Sequence, residues 1–184
     1  SIQVSTFDSQ MGTAKVDYNN YFSSQISATA NHGYHFVQWS DGNTDNPRTL
    51  VLTQDTILTA EFAQSFSGQC GDKLYWAYNE SDQSIAITGT GDMYNYTTTT
   101  QPWLLFKEQI KEVTTSSTAT SIGENAFAGC SKLQDVYCYA VEPPTVYDSS
   151  FSQYNAFLYI PCKNKKVYML DEVFGNFKYI ECIS

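Results

Sequence analysis

The residues that could do catalytic or metal-binding chemistry are few, and they lie in separate segments. His32 and His35 are the two histidines, and neither has a serine or cysteine nucleophile in a recognisable setting. Alternation along a strand would place their side chains on opposite faces. A general base acting with a neighbouring nucleophile finds no support here, and we interpret both histidines as loop or strand-surface residues.

Asp41, Asn43 and Asp45 have side-chain oxygens at positions 1, 3 and 5, which is the pattern of ligands at the start of a calcium-binding loop. The pattern then breaks, because position 6 is Asn46 instead of glycine and position 12 is Leu52 instead of a bidentate glutamate. We interpret the segment as a turn between strands. The sequence therefore predicts no metal site and no cofactor.

Other carboxylates are scattered, as Asp92, Glu142 and Asp148 illustrate. A glycosidase needs two carboxyl groups about 5 to 10 Å apart across one cleft, and sequence spacing assembles no such pair. We predict no catalytic residues and expect the chain not to be an enzyme. A carbohydrate-active enzyme is the third of three hypotheses.

The five cysteines, at positions 70, 130, 138, 162 and 182, form no C-x-x-C pair. This spacing argues against structural zinc, and the odd number argues against a full disulfide framework. We expect small buried side chains, with Cys138, Cys162 and Cys182 on neighbouring strands about 4.8 Å apart. One bridge between neighbouring strands is also compatible with this placement.

Composition narrows the class of protein further. The 184 residues are 42% hydrophobic and 16% charged, with a net charge of −9, which argues against disorder, nucleic-acid binding and anionic membranes. No apolar run approaches the ~20 residues of a membrane span. The chain starts on the strand-like Ser1–Val4 segment, so we expect an extracellular or cell-surface chain without its signal peptide or anchor.

The elements that would position a site come from a repeat. Leu133, Val136 and Cys138 are apolar residues at relative positions 0, +3 and +5, the strand spacing of leucine-rich repeats. The steps between corresponding Val or Ile positions are 23, 24 and 20 residues, which predicts a solenoid with a parallel strand ladder. The other matches are Ile110, Val113 and Thr115; Phe157, Ile160 and Cys162; and Phe177, Ile180 and Cys182.

A second element supports the repeat. Ile122 and Phe127 precede Leu133 by the intervals at which Val146 and Phe151 precede Phe157. The pattern Ile122-Gly-x-x-Ala-Phe-x-Gly-Cys-x-x-Leu133 resembles the BspA-like leucine-rich repeat of bacterial surface proteins, over about 68–184. The resemblance implies surface attachment. We also predict a β-hairpin, Leu74–Tyr78 with Ser84–Thr88, that caps the first strand of the ladder.

Residues 1–64 have the pattern of short strands separated by turns, with Gln54-Asp55 as a two-residue hairpin loop. The segment Ala30-x-x-Gly-Tyr-x-Phe-x-x-Trp-Ser-Asp-Gly42, with Leu58–Phe62, resembles the divergent internalin B-repeat. That family implies a β-grasp-like, β-rich module that serves as a spacer or adhesive unit. The predicted fold is mainly β, with this module at 1–64 and the capped leucine-rich-repeat solenoid at 65–184.

The candidate binding site is the outward face of the ladder. If Val136 and Cys138 point inward, alternation turns their neighbours outward and makes an acidic and aromatic strip. Tyrosines covering a sheet, or meeting a neighbouring domain, would give the same pattern. The predicted site residues are Glu112, Asp135, Tyr137, Tyr159 and Tyr179, with Thr114, Pro161 and Glu181 at corresponding outward positions.

Three functions follow from these observations. The first is a non-enzymatic bacterial surface or secreted protein that adheres through its repeat domain to a host or bacterial surface protein or a glycan. The second is a structural spacer with no ligand of its own. The third is the carbohydrate-active enzyme.

Overall fold

The computed structural model describes residues 1–183, and the chain divides into two compact units, Ser1–Ser65 and Phe66–Ser184. Strands dominate both units. The strands are β1 (Ile2–Thr6), β2 (Gly12–Asn19), β3 (Ser24–Ala30), β4 (Tyr34–Trp39), β5 (Arg48–Leu50), β6 (Thr56–Gln64), β7 (Ser67–Gln69), β8 (Leu74–Asn79), β9 (Ser84–Gly89), β10 (Glu112–Thr115), β11 (Asp135–Cys138), β12 (Phe157–Pro161) and β13 (Tyr179–Ile183).

The N-terminal unit consists of two three-stranded sheets, β1-β6-β4 and β2-β3-β5. Trp39 is fully buried in the core of this unit, and its indole Nε1 donates a hydrogen bond to the Asp45 carbonyl oxygen at 2.9 Å. The predicted hairpin around Gln54-Asp55 is wrong. Strand β5 pairs with β3, whereas β6 pairs in parallel with β1 and antiparallel with β4, so the two strands flanking that loop belong to different sheets.

The C-terminal unit is a solenoid with one seven-stranded sheet in the order β13-β12-β11-β10-β9-β8-β7. Strands β9 to β13 are parallel neighbours, as the repeat predicts. The predicted capping hairpin is confirmed, because β8 and β9 pair antiparallel and β9 covers the edge of β10. Helix is scarce and consists of α1 (Lys165–Leu170) and 3-10 turns at Leu104–Phe106, Cys162–Asn164 and Phe174–Asn176.

The repeat motif has a direct physical explanation. Ile122, Phe127 and Leu133 are buried in the solenoid core, where no single repeat could cover them alone. Gly123 is required by a close backbone approach, since a Cβ atom there would lie 1.9 Å from the Tyr94 carbonyl oxygen. Gly129 has a φ of +79°, a backbone conformation that is unfavourable for residues with a Cβ atom. Apolar and glycine positions therefore have separate roles in this motif.

Aromatic rings connect successive repeats through the core. Phe127 is fully buried and stacks on Trp103 at 5.3 Å and on Phe151 at 5.5 Å between ring centroids. Phe127 and Phe151 also form a parallel bridge, which confirms the second repeated element. Trp103 donates a hydrogen bond from its indole Nε1 to the Ala126 carbonyl oxygen at 2.8 Å. Burial of these rings contributes to the stability of the stacked repeats.

The predicted register of one strand is wrong by two residues. Val136 lies beside Leu158 instead of Ile160, and Leu158 lies beside Ile180. Leu158 and Ile160 alternate inward on β12, so Phe157 points outward with 38% of its surface exposed. The physical reason is that alternation along the strand decides which residues are buried, and a fixed apolar spacing does not.

The cysteine prediction is also wrong in part. Cys162 is exposed beyond the end of β12 and forms a disulfide with Cys182 on β13. The bridge between neighbouring strands that the spacing allowed is therefore present. Cys70, Cys130 and Cys138 are free and fully buried, as expected for small apolar side chains.

Candidate functional site: the open sheet face

The predicted site residues all lie on the outward face of strands β10 to β13, which we call the open sheet face. Strand register arranges this face in two rows that run across the strands. Alternation along each strand separates the rows from the buried core residues. Row one is Glu112, Asp135, Phe157 and Tyr179, and row two is Thr114, Tyr137, Tyr159 and Glu181.

Each row contains a pair of stacked rings. Tyr137 and Tyr159 lie 4.5 Å apart between ring centroids with their planes within 10°, and Phe157 and Tyr179 lie 4.5 Å apart within 16°. Phe157 also lies 6.0 Å from Tyr159 along β12. Phe157 and Tyr179 are each 38% exposed. The four rings form a rigid aromatic surface that costs little further side-chain entropy to immobilise.

The carboxylates of this face are close to one another and to the rings. Glu112 and Asp135 are direct neighbours in register, and both are half-buried. Burial, with the charge of Asp135 second, raises the pKa of the Glu112 carboxyl above its ordinary value of 4.5. Burial and the charge of Asp135 also raise the pKa of the Tyr159 hydroxyl. The face is therefore negatively charged and partly desolvated.

The raised pKa of Glu112 predicts a pH-dependent stability. The folded protein binds this proton more tightly than the unfolded chain, so the contribution is fully present below about pH 4.5 and is lost as the pH rises through the raised pKa. We expect Glu112→Gln to be more stable than the wild type at pH 7. The difference between the two proteins should shrink at pH 4, just below the ordinary pKa of 4.5, because protonation removes the charge of Glu112.

Urea unfolding at both pH values measures this difference. Glu80→Gln is the matched control, since Glu80 is exposed in the loop between β8 and β9. A Glu112→Gln protein that is no more stable than the wild type at pH 7 would contradict the raised pKa of Glu112.

Other candidate residues belong to the N-terminal unit. His35 is exposed, with Nδ1 3.0 Å from the Ser65 hydroxyl. Asp41 forms an ion pair with Arg48 at 2.8 Å, and the Arg48 guanidinium lowers the pKa of the Asp41 carboxyl. Among residues 1–183, no group of three or more His, Cys, Asp or Glu side chains is placed to hold a metal ion.

Sequence reasoning missed Phe157 as a member of the site. The repeat spacing predicts an inward Phe157, because its distance in sequence from Ile160 equals that of Leu133 from Val136. The alternation of Leu158 and Ile160 was the signal that could have placed Phe157 outward. Tyr159 remains on the outward face despite the register error, because a slip of two residues preserves the side of the sheet.

The two units together define a β protein that combines a small two-sheet module with a short leucine-rich-repeat solenoid. The family model described as the divergent InlB B-repeat domain matches residues 2–66, which confirms the resemblance found for the N-terminal module. No curated protein matches the chain.

Among solved structures, the chain is similar to a leucine-rich repeat protein from Eubacterium ventriosum. The identity is 17% and the TM-score 0.39, and the match covers 64% of this chain and 44% of that chain. The chain thus spans less than half of that protein's length. Within residues 1–183, no helix has the length and apolar character needed to cross a bilayer.

Proposed function

We propose that this chain is a non-enzymatic part of a bacterial surface or secreted protein, and that it binds a surface protein or glycan through the open sheet face. The observation that carries the proposal is the pair of stacked aromatic rows, in which Tyr137, Tyr159 and Tyr179 stand beside carboxylates on an accessible sheet. Tyrosine is enriched in binding surfaces because its large side chain loses little conformational entropy when it is immobilised. A BspA-like repeat and surface attachment are parts of this proposal.

The cysteines support an extracellular location. The exposed Cys162 is bridged to Cys182, whereas Cys70, Cys130 and Cys138 are fully buried. Burial raises the pKa of the Cys70 and Cys130 thiols to about 12, which suppresses the reactive thiolate. This arrangement suits an oxidising compartment, where accessible free thiols would form wrong bridges. The match to an internalin-type module at residues 2–66 supports the same location.

The enzyme hypothesis is best supported by two carboxylates that line the same surface depression. Asp72 and Asp92 line a surface depression of about 340 Å³. Asp72 accepts a hydrogen bond from the Tyr94 hydroxyl at 3.0 Å, and Asp92 accepts one from the Thr120 hydroxyl at 2.6 Å. Both carboxylates are therefore already hydrogen-bonded within the protein, whereas a glycosidase needs two carboxyl groups that act on one bond of the substrate. We therefore prefer binding to hydrolysis.

The test is a binding screen of the purified chain against immobilised extracellular-matrix proteins and glycans. We expect saturable binding that is lost in a triple variant with Tyr137, Tyr159 and Tyr179 changed to Ala. A double variant with Tyr18 and Tyr21 changed to Ala is the control, because both tyrosines are exposed in the N-terminal unit. No binding by the wild type across the panel would favour the second function, a structural spacer.

A further inference from the structure

Row one of the open sheet face contains a partly exposed ring, Phe157, with an aromatic partner on one side. Phe157 on β12 stacks on Tyr179 of β13, so its other side is turned toward β11. The residue beside it on β11 is Asp135, and the next residue in the row is Glu112 on β10. An aromatic face and one carboxylate are therefore adjacent, and a second carboxylate follows on the next strand. A ring face and a carboxylate both attract cations.

The carboxylates of this face have no cationic partner among residues 1–183. The ion pairs of that part of the chain join Ser1 to Asp55, Lys15 to Asp17 and Arg48 to Asp41, all in the N-terminal unit. Mutual repulsion between Glu112 and Asp135 contributes to the raised pKa of Glu112, after burial. A bound cation would relieve this repulsion. The charge of the face is thus complementary to a basic partner.

The opposite end of the same row already holds a cation from the chain itself. The Lys178 Nζ lies over the Tyr179 ring, 5.2 Å from its centroid. The stacked pair of Phe157 and Tyr179 consequently has a cation at one end and a carboxylate at the other. This intramolecular contact shows that a ring of row one can accept a cation on its face.

We propose that the open sheet face docks an extended protein segment that carries arginine, with one guanidinium placed on the side of Phe157 turned toward Asp135 and bound by Asp135 and Glu112. This inference rests on the proposed function and names its partner. A guanidinium is planar, so it can stack on the ring while its N–H groups donate to a carboxylate, which a lysine ammonium cannot do as well. Rows across four strands, each about 4.8 Å apart, suit an extended segment.

The experiment titrates the full chain, by calorimetry, with a peptide of about ten residues that has arginine at alternate positions, a length that spans the strands at about 3.3 Å per residue. Two matched peptides replace arginine by citrulline, its neutral analogue, or by lysine. A neutral oligosaccharide is the fourth ligand. We expect the arginine peptide to bind best and the citrulline peptide to show no saturable binding. The affinity should fall as salt is raised, because exposed charges are screened.

The protein variants test the two carboxylates. Glu112→Gln with Asp135→Asn should lower the affinity for the arginine peptide about tenfold or more. The reason is that the acceptors of its hydrogen bonds change from charged carboxylates to neutral amides. Asp148→Asn with Glu172→Gln removes the same charge from exposed positions outside the two rows and should change affinity little. Equal binding of the citrulline peptide, or an affinity that Glu112→Gln with Asp135→Asn leaves unchanged, would overturn the assignment.

Failure of this inference is distinguishable from failure of the proposed function. If the arginine peptide does not bind while a matrix protein or the oligosaccharide binds in a manner that the Tyr137, Tyr159 and Tyr179 variant loses, the arginine assignment is rejected and the binding face stands. If the arginine peptide does not bind and no other ligand depends on these tyrosines, both are rejected.

Discussion

Phe127→Ala should destabilise the C-terminal unit by about 3 to 5 kcal/mol, the cost typical of a buried phenylalanine truncated to alanine. Phe127 is fully buried and stacks on Trp103 and Phe151, so truncation leaves a cavity between two repeats. Neighbouring repeats share the stacked core, so the loss of packing in one repeat also destabilises the next repeat. Leu133→Ala should act in the same direction, because Leu133 is 3% exposed in the same core.

Amide hydrogen exchange in β10 and β11 measures the effect in this unit specifically. Phe157→Ala is the matched control, since it removes the same side chain from the open sheet face. Its cost should be about 1 kcal/mol or less, because the ring is partly exposed and loses mainly one stacking contact. Equal protection of β10 and β11 amides in wild type and Phe127→Ala would contradict the assigned core.

The second large effect concerns the disulfide. Changing Cys162 and Cys182 to Ser should destabilise the C-terminal unit by about 3 kcal/mol, because a bridge across 20 residues restricts the unfolded chain. The bridge also attaches β13, the last strand of the sheet, to the end of β12. We expect β13 to lose protection first in hydrogen exchange.

Reduction provides the control for this variant. In a reducing buffer the wild type should be no more stable than the doubly substituted protein. Thiol labelling of the native wild type should detect no accessible cysteine, whereas labelling in denaturant should detect Cys70, Cys130 and Cys138. Equal stability of both proteins under oxidising conditions would show that the bridge does not stabilise the unit.

The solenoid could be predicted because its signal is local and repeated. Ile122, Phe127 and Leu133 recur at nearly constant intervals, and each interval corresponds to one turn of the solenoid. The pairing of β1 with β6 could not be predicted in this way. These strands are far apart in sequence, and the loop at Gln54-Asp55 looks like an ordinary hairpin although its flanking strands enter different sheets.

The sequence predicts which face of the sheet carries the candidate site, but it does not predict how the side chains are arranged on that face. The alternation of side chains along each strand is enough to predict that Tyr137, Tyr159 and Tyr179 point outward. A register slip of two residues leaves that prediction unchanged. The stacking partner of Tyr179, and the position of Phe157 beside Asp135, depend on the register between strands. Register is set by contacts across the sheet, so a single strand's sequence does not determine it.

The most direct test of the binding face is a nuclear magnetic resonance titration of the chain with ring-labelled tyrosine, using the matrix protein or glycan that binds best in the screen. The account predicts that the ring signals of Tyr137, Tyr159 and Tyr179 shift together and saturate, while those of Tyr18 and Tyr21 stay in place. Saturable binding that moves Tyr18 and Tyr21 and leaves the open sheet face unchanged would contradict it.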